Sequence, residues 1–115
     1  MSAAPLTIAI VQIPLSGRSR QAAIASALKS APTYRALAPK GLVRKDYLNG
    51  PAGGGGVYTW RSRSEAEAWY DGAWKARMTE LFGVEPVVTY YECAVTVDNL
   101  SGETIVRDGR QEAAR

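Results

Sequence analysis

A run of four glycines, Gly53 to Gly56, leads directly into the alternating segment Val57-Tyr58-Thr59-Trp60 and then into an amphipathic helix pattern. Alternation with a period of two is typical of a β-strand, and here it places Tyr58 and Trp60 on one face. The pattern from Ser64 to Phe82 carries large apolar residues at helical spacing. An aromatic strand followed by an aromatic helix predicts an aromatic-lined cavity between a sheet and a helix.

The ends of this helix are marked by capping residues. Ser64 and Glu67 stand at the spacing of a capping box, in which each side chain satisfies a backbone N–H of the first turn. Asp71-Gly72 interrupts the pattern and predicts a kink, since glycine costs about 1 kcal/mol relative to alanine inside a helix. Gly83 is predicted to end the helix, because glycine readily adopts the left-handed conformation of a C-terminal cap.

Three more strands and one more helix are predicted from the rest of the chain. Alternating apolar residues predict strands over Leu6–Ile13, Leu42–Leu48 and Val87–Val97. The glycine run before the aromatic strand is interpreted as a loop at the mouth of the cavity. Ser19 is a candidate N-cap for a helix that Pro32 stops or resets. Its apolar face would carry Ile24, Ala27, Leu28 and Ala31.

The resulting order, β-α-β-β-α-β, is that of a ferredoxin-like α+β fold, in which an antiparallel sheet of four strands carries two helices on one face. Residues 1–99 are predicted to form this domain, and residues 100–115 a polar C-terminal tail. The second face of so small a sheet is left uncovered. A homodimer that buries this open face is the economical solution.

Four segments of the chain resemble the YdhR-like monooxygenase family of the dimeric α+β barrel superfamily. They are Gly41–Tyr47, Gly54–Trp60, Trp74–Arg77 and Gly83–Pro86. The resemblance implies a homodimer whose two sheets form a shared barrel, with a pocket in each protomer between its sheet and helices. It also implies cofactor-free insertion of oxygen into electron-rich aromatic substrates such as quinols or anthrones.

The composition and motifs of the sequence exclude several function classes. It contains no histidine and one cysteine, Cys93, so imidazole-based metal sites and Ser-His-Asp or Cys-His catalysis are excluded. The glycine run precedes a strand, whereas a phosphate-binding loop follows a strand and opens a helix. The net charge of +3 is dispersed in pairs such as Arg18 and Arg20, without a nucleic-acid-binding motif. We expect no cofactor, nucleic acid or membrane, and a cytoplasmic location.

The remaining chemistry lies in aromatic walls with a few polar groups. Lys45 and Tyr47 are the candidate catalytic residues, because a partly desolvated lysine beside a phenol can stabilise a deprotonated substrate. The candidate substrate-binding residues are Tyr58, Trp60, Trp69, Tyr70, Trp74, Tyr90 and Glu92.

These residues leave alternatives open. The aromatic side chains also fit plain core packing, and Lys45 also fits a strand edge from which it reaches water. The leading prediction is a cofactor-independent monooxygenase that acts on a small electron-rich aromatic substrate. A non-catalytic dimeric protein that binds a small hydrophobic ligand, or a cofactor-free isomerase, are the two other predicted functions.

Overall fold

A computed structural model describes residues 4–15 and 17–109 of the chain. Its strands and helices follow in the order β1 Leu6–Ile13, α1 Arg20–Arg35, β2 Leu42–Gly50, β3 Gly53–Trp60, α2 Arg63–Trp69, α3 Gly72–Phe82, β4 Val87–Cys93, β5 Val95–Asp98 and β6 Glu103–Val106. A 3₁₀ turn, Ala38–Lys40, connects α1 to β2. In the described part of the chain, no helix is long and apolar enough to span a membrane.

The first four strands form one antiparallel sheet in the order β2-β3-β1-β4. The predicted α+β class and four-stranded antiparallel sheet are confirmed, and the arrangement is compatible with a ferredoxin-like fold. Ala9 lies opposite Tyr58 on one side and Tyr90 on the other. Because directly opposed residues point to the same face, these three side chains face the helices.

The core lies between this face of the sheet and the helices. Its fully buried side chains include Val11, Trp60 and Trp74, each at most 1% exposed. Residues at the intervening positions of β1, such as Ile8 and Ile10, are only half-buried on the opposite face. The sheet is therefore covered on one side within a single chain, and the apolar side chains on its other side are left partly exposed.

Helix α1 extends farther than the sequence predicted, because Pro32 lies inside it rather than at its end. Ser19 is the N-cap as predicted, and its Oγ accepts a hydrogen bond from the Ala22 N–H at 3.1 Å. The predicted apolar face is wrong in part, since Ile24 and Leu28 are 48% and 69% exposed. Ala27 and Ala31 are half-buried as predicted, together with Ala23, Ser30 and Tyr34.

The predicted second helix is two helices. The predicted cap at Ser64 is wrong by two residues, because Ser62 accepts from the Glu65 N–H at 3.2 Å and donates to Glu65 Oε1 at 2.9 Å. Ser62 stands at the same spacing from Glu65 as Ser64 does from Glu67, and it follows β3 more closely. The predicted kink is a complete break, where Asp71 caps α3 by accepting from the Trp74 N–H at 2.8 Å. Gly83 ends α3 with a φ of 77°, as predicted.

The glycine run is a strand and not a loop. Gly54, Gly55 and Gly56 pair with Ile13, Gln12 and Val11 of β1. Gly55 has a φ of +145°, and a Cβ atom there would overlap the Val11 carbonyl oxygen. The absence of side chains lets the two backbones approach closely, so β3 needs glycine here.

The predicted long last strand is interrupted at Ala94. Beyond it, β5 and β6 form a separate two-stranded antiparallel hairpin, with Val95 opposite Val106. At its turn, the Asp98 carboxylate accepts hydrogen bonds from the Leu100 and Ser101 N–H groups, which lowers its pKa. Part of the predicted polar tail is thus the strand β6, while residues 110–115 lie outside the described residues. The domain boundary at residue 99 stays a prediction.

Candidate functional site

A cavity of about 530 Å³ lies between α1, the helix-facing side of the sheet and α3. Its volume is within the range of about 300–1,000 Å³ that is usual for small-molecule sites. Much of its apolar wall comes from β1 and α3, namely Val11, Ile13, Trp74, Met78, Leu81 and Phe82. Such a wall suits an apolar or aromatic molecule with a few polar groups.

Lys45 stands in this wall on the helix-facing side of β2, opposite Tyr58 of β3. Its Nζ lies 3.4 Å from the ring centroid of Tyr34, 3.9 Å from that of Tyr47 and 4.6 Å from that of Tyr58. A Cβ atom on Gly56 would lie 3.2 Å from Lys45 Cε. The glycine therefore leaves the space that the lysine side chain occupies.

The charge of Lys45 has no acidic partner among the described residues. The neighbouring carboxylate, Asp46, belongs to the other face of the strand, where it pairs with Arg44 at 2.9 Å. The three ring faces attract the ammonium, but burial dominates and lowers the pKa of Lys45 to about 7. Near neutral pH a large share of Lys45 is therefore a free amine, which can accept a proton.

Tyr47 and Tyr58, two of the tyrosines around Lys45, remain protonated donors. Burial raises the pKa of Tyr58 far above its usual value and also raises that of Tyr47. The Tyr47 hydroxyl forms a hydrogen bond of 2.7 Å with Ser30 Oγ, which ties β2 to α1. The site thus combines one amine of lowered pKa with phenol groups that can donate hydrogen bonds.

Tyr34 is the ring contact of Lys45 that sequence reasoning missed. Its ring contacts Lys45 most closely and also packs edge-on against Tyr47, Tyr58 and Trp69. The available signal was its helical spacing from Ala23, Ala27 and Ser30, which line the same cavity. The prediction that Pro32 stops the helix hid that signal.

Four of the nine predicted site residues line the cavity, namely Lys45, Tyr47, Tyr58 and Trp74. Trp60 and Tyr70 lie in the core, where Trp60 Nε1 donates to the Tyr70 hydroxyl at 3.1 Å. Trp69 reaches the site only through the ring of Tyr34. The ring centroid of Tyr90 lies 4.4 Å from Arg63 Cζ, and Glu92 lines a separate pocket together with Arg61. The structure therefore does not bring the last five to the cavity wall.

The buried pair of Trp60 and Tyr70 supports the wall from behind, because Tyr70 also stacks edge-on against Tyr58 and Trp74. We expect Tyr70→Phe to lower the free energy of unfolding by about 1–3 kcal/mol, since it leaves the buried Trp60 N–H without an acceptor. Urea unfolding followed by circular dichroism measures this. Thr33→Val is the control, because it removes a hydroxyl from an exposed residue of α1 outside the cavity. An equal loss in both variants would contradict a structural role for the hydrogen bond.

The described residues contain no group of three His, Cys, Asp or Glu side chains that could hold a metal ion. Cys93 is half-buried, with its Sγ 3.7 Å from Thr96 Oγ1.

Comparisons with models of protein families, with curated proteins and with solved structures find no match to this chain. The resemblance of the sequence to the YdhR-like family therefore stays a prediction, and a functional assignment depends on the geometry of the cavity.

Proposed function

We propose that this protein is a cofactor-independent monooxygenase of the YdhR-like type, acting on a small electron-rich aromatic substrate. One observation carries the proposal: the amine of Lys45, with a pKa of about 7, stands in an aromatic-walled cavity without an acidic partner among the described residues. A general base is most effective when its pKa is near the working pH. Lys45 is suited to take a proton from a quinol or anthrone.

The reaction needs only the substrate and dioxygen. Neutral Lys45 takes a proton from the acidic C–H of an anthrone, and the electron-rich carbanion passes an electron to dioxygen. Recombination forms a C–O bond and gives a peroxide, which takes up a proton. Loss of water then breaks the O–O bond and the second C–H bond and leaves a carbonyl. One anthrone and one dioxygen thus give one anthraquinone and one water, with the carbon oxidised and the dioxygen reduced.

The surrounding side chains supply orientation and exclusion of water. Tyr58 and Trp74 offer ring faces and edges to an aromatic substrate. Tyr47, tied to Ser30, offers a hydroxyl to a substrate oxygen. Tyr34 completes the ring cluster that holds Lys45 in place.

Oxygen uptake with anthrone tests the proposal. The purified protein, with no cofactor added, is expected to accelerate oxygen consumption, with anthraquinone formed in equal amount. Heat-denatured protein gives the uncatalysed rate. Binding of anthrone without added oxygen uptake would favour the ligand-binding protein over the enzyme. Conversion of a substrate under anaerobic conditions would favour the isomerase.

We propose further that the open face of the sheet forms a homodimer as a dimeric α+β barrel. Its support is the row of apolar side chains on that face, in which Ile10 lies opposite Val57 and exposed Val87 and Tyr91 lie on β4. Light scattering after size exclusion is expected to give about twice the chain mass of 12.4 kDa. Ile10→Glu should yield monomers, whereas Ala25→Glu on exposed α1 should not. A monomeric mass for the unaltered chain would contradict the dimer.

A further inference from the structure

The cavity wall carries charge of one sign only. Three basic residues, Arg18, Arg20 and Lys45, line it, and no aspartate or glutamate does among the residues that the structure describes. Three arginines elsewhere, Arg44, Arg61 and Arg63, each pair with a carboxylate at 2.9–3.3 Å. Arg18 and Arg20 have no such ion pair with any described residue. The wall therefore offers a positive potential that nothing in the described chain neutralises.

Arg18 is held at the rim by β2 and β3. The Asn49 side-chain amide donates a hydrogen bond of 3.0 Å to the Arg18 carbonyl oxygen. The Arg18 guanidinium lies beside Gly54, where a Cβ atom would be 3.7 Å from Nη2. Arg20 begins α1, whose first turn contains no acidic residue. The positive end of the helix dipole therefore adds to the two guanidinium charges at this rim.

A second observation comes from inside the wall. Trp74 is 1% exposed and lines the cavity. Its Nε1–H has no hydrogen-bond partner among the described residues. Trp69 also has an unpartnered indole N–H, but Trp69 does not line this cavity. That nitrogen is itself closed off from solvent, so an occupant of the cavity meets the indole ring and not its N–H.

We infer that the natural occupant is an aromatic carboxylic acid, with its ring system against the apolar wall and its carboxylate at Arg18 and Arg20. Guanidinium groups bind carboxylates through paired charge-assisted hydrogen bonds. This inference rests on the proposed function for the reaction at Lys45, but it concerns binding and is tested without turnover.

Isothermal titration of the full chain with 2-naphthoate and with 2-naphthamide tests the inference. The two probes share one shape and differ in charge. At a pH of about 8, Lys45, with a pKa of about 7, is largely neutral, so the arginines carry the preference. We expect the acid to bind at least tenfold, and up to roughly a hundredfold, more tightly than the amide at low ionic strength, with the ratio falling as salt is added.

Two double variants, each of which removes two positive charges, test whether the preference for the acid depends on the rim arginines or on the overall charge of the protein. Arg18→Gln/Arg20→Gln is expected to abolish the preference for the acid. Lys75→Gln/Arg77→Gln, on the exposed side of α3 outside the cavity, is expected to retain it. Equal affinities for acid and amide, equal losses in both double variants, or binding of neither probe would each overturn the inference. The outcome of the oxygen-uptake experiment is independent of this one, because anthrone carries no carboxylate.

Discussion

Lys45→Met is expected to lower the rate of protein-dependent oxygen uptake by about 10²–10⁴-fold, the usual contribution of a general base. Methionine retains an unbranched apolar side chain against the rings of Tyr34, Tyr47 and Tyr58, which surround Nζ in the unaltered protein. The variant therefore removes the amine with little change in packing. Initial rates by oxygen electrode at saturating anthrone measure the effect.

The rate of oxygen uptake is also expected to depend on pH in one direction. The base works as the neutral amine, and burial lowers the pKa of Lys45 to about 7. The rate should therefore be low at acid pH and rise as pH increases through about 7. The cluster that faces Lys45 consists of tyrosines, and burial raises the pKa of both Tyr47 and Tyr58, so neither is expected to ionise in this range. The residual rate of Lys45→Met should show no such rise.

Lys29→Met is the matched control, because Lys29 lies on the exposed side of α1 and outside the cavity. It should retain the rate and the pH profile of the unaltered protein. Full activity of Lys45→Met, or an unchanged pH profile in that variant, would remove Lys45 from the proposed mechanism while leaving oxygen uptake itself established.

Gly55→Ala is expected to lower the free energy of unfolding by roughly 2–5 kcal/mol. Two effects add together. The φ of +145° is a backbone conformation that residues with a side chain rarely adopt, and a Cβ atom would overlap the Val11 carbonyl oxygen across the β1–β3 ladder. Denaturant unfolding with two spectroscopic probes measures the loss. The pairing of β1 and β3 also builds the cavity wall, so weaker ligand binding should accompany it.

Gly50→Ala is the control within the same hairpin. No atom lies within 4 Å of a Cβ built on Gly50, and its φ is outside the positive range. We expect its free energy of unfolding to change by no more than about 1 kcal/mol. A similar small change for Gly55→Ala would contradict the close approach of the two backbones at Val11.

The elements that sequence reasoning predicted correctly are those specified by neighbours in the chain. Period-two alternation identifies β1 and the aromatic end of β3, and Ser19 and Gly83 mark one helix start and one helix end. A cap or a strand face depends on residues at most a few positions apart. The α+β class follows from the order of such elements.

The incorrect predictions lie where two local signals competed or where pairing with a distant strand determined the structure. Ser62 and Ser64 both stand three residues before a glutamate, and the hydrogen bonds to Glu65 select Ser62. Gly53 to Gly56 carry no side-chain pattern, so only their ladder with β1 shows that they form a strand. The interruption after Cys93 likewise has no strong local signal.

The sequence by itself determined the fold class, the aromatic face of β3 and the presence of Lys45 and Tyr47 on neighbouring positions of one strand face. Tertiary structure alone decided that Lys45 turns inward, that Tyr34 meets it from α1, and that Trp60 and Tyr70 lie behind the cavity wall. The physical reason is the range of the interactions. Periodicity and capping act within a turn or a strand, whereas the burial that lowers the pKa of Lys45 requires α1, β2 and β3 to pack together.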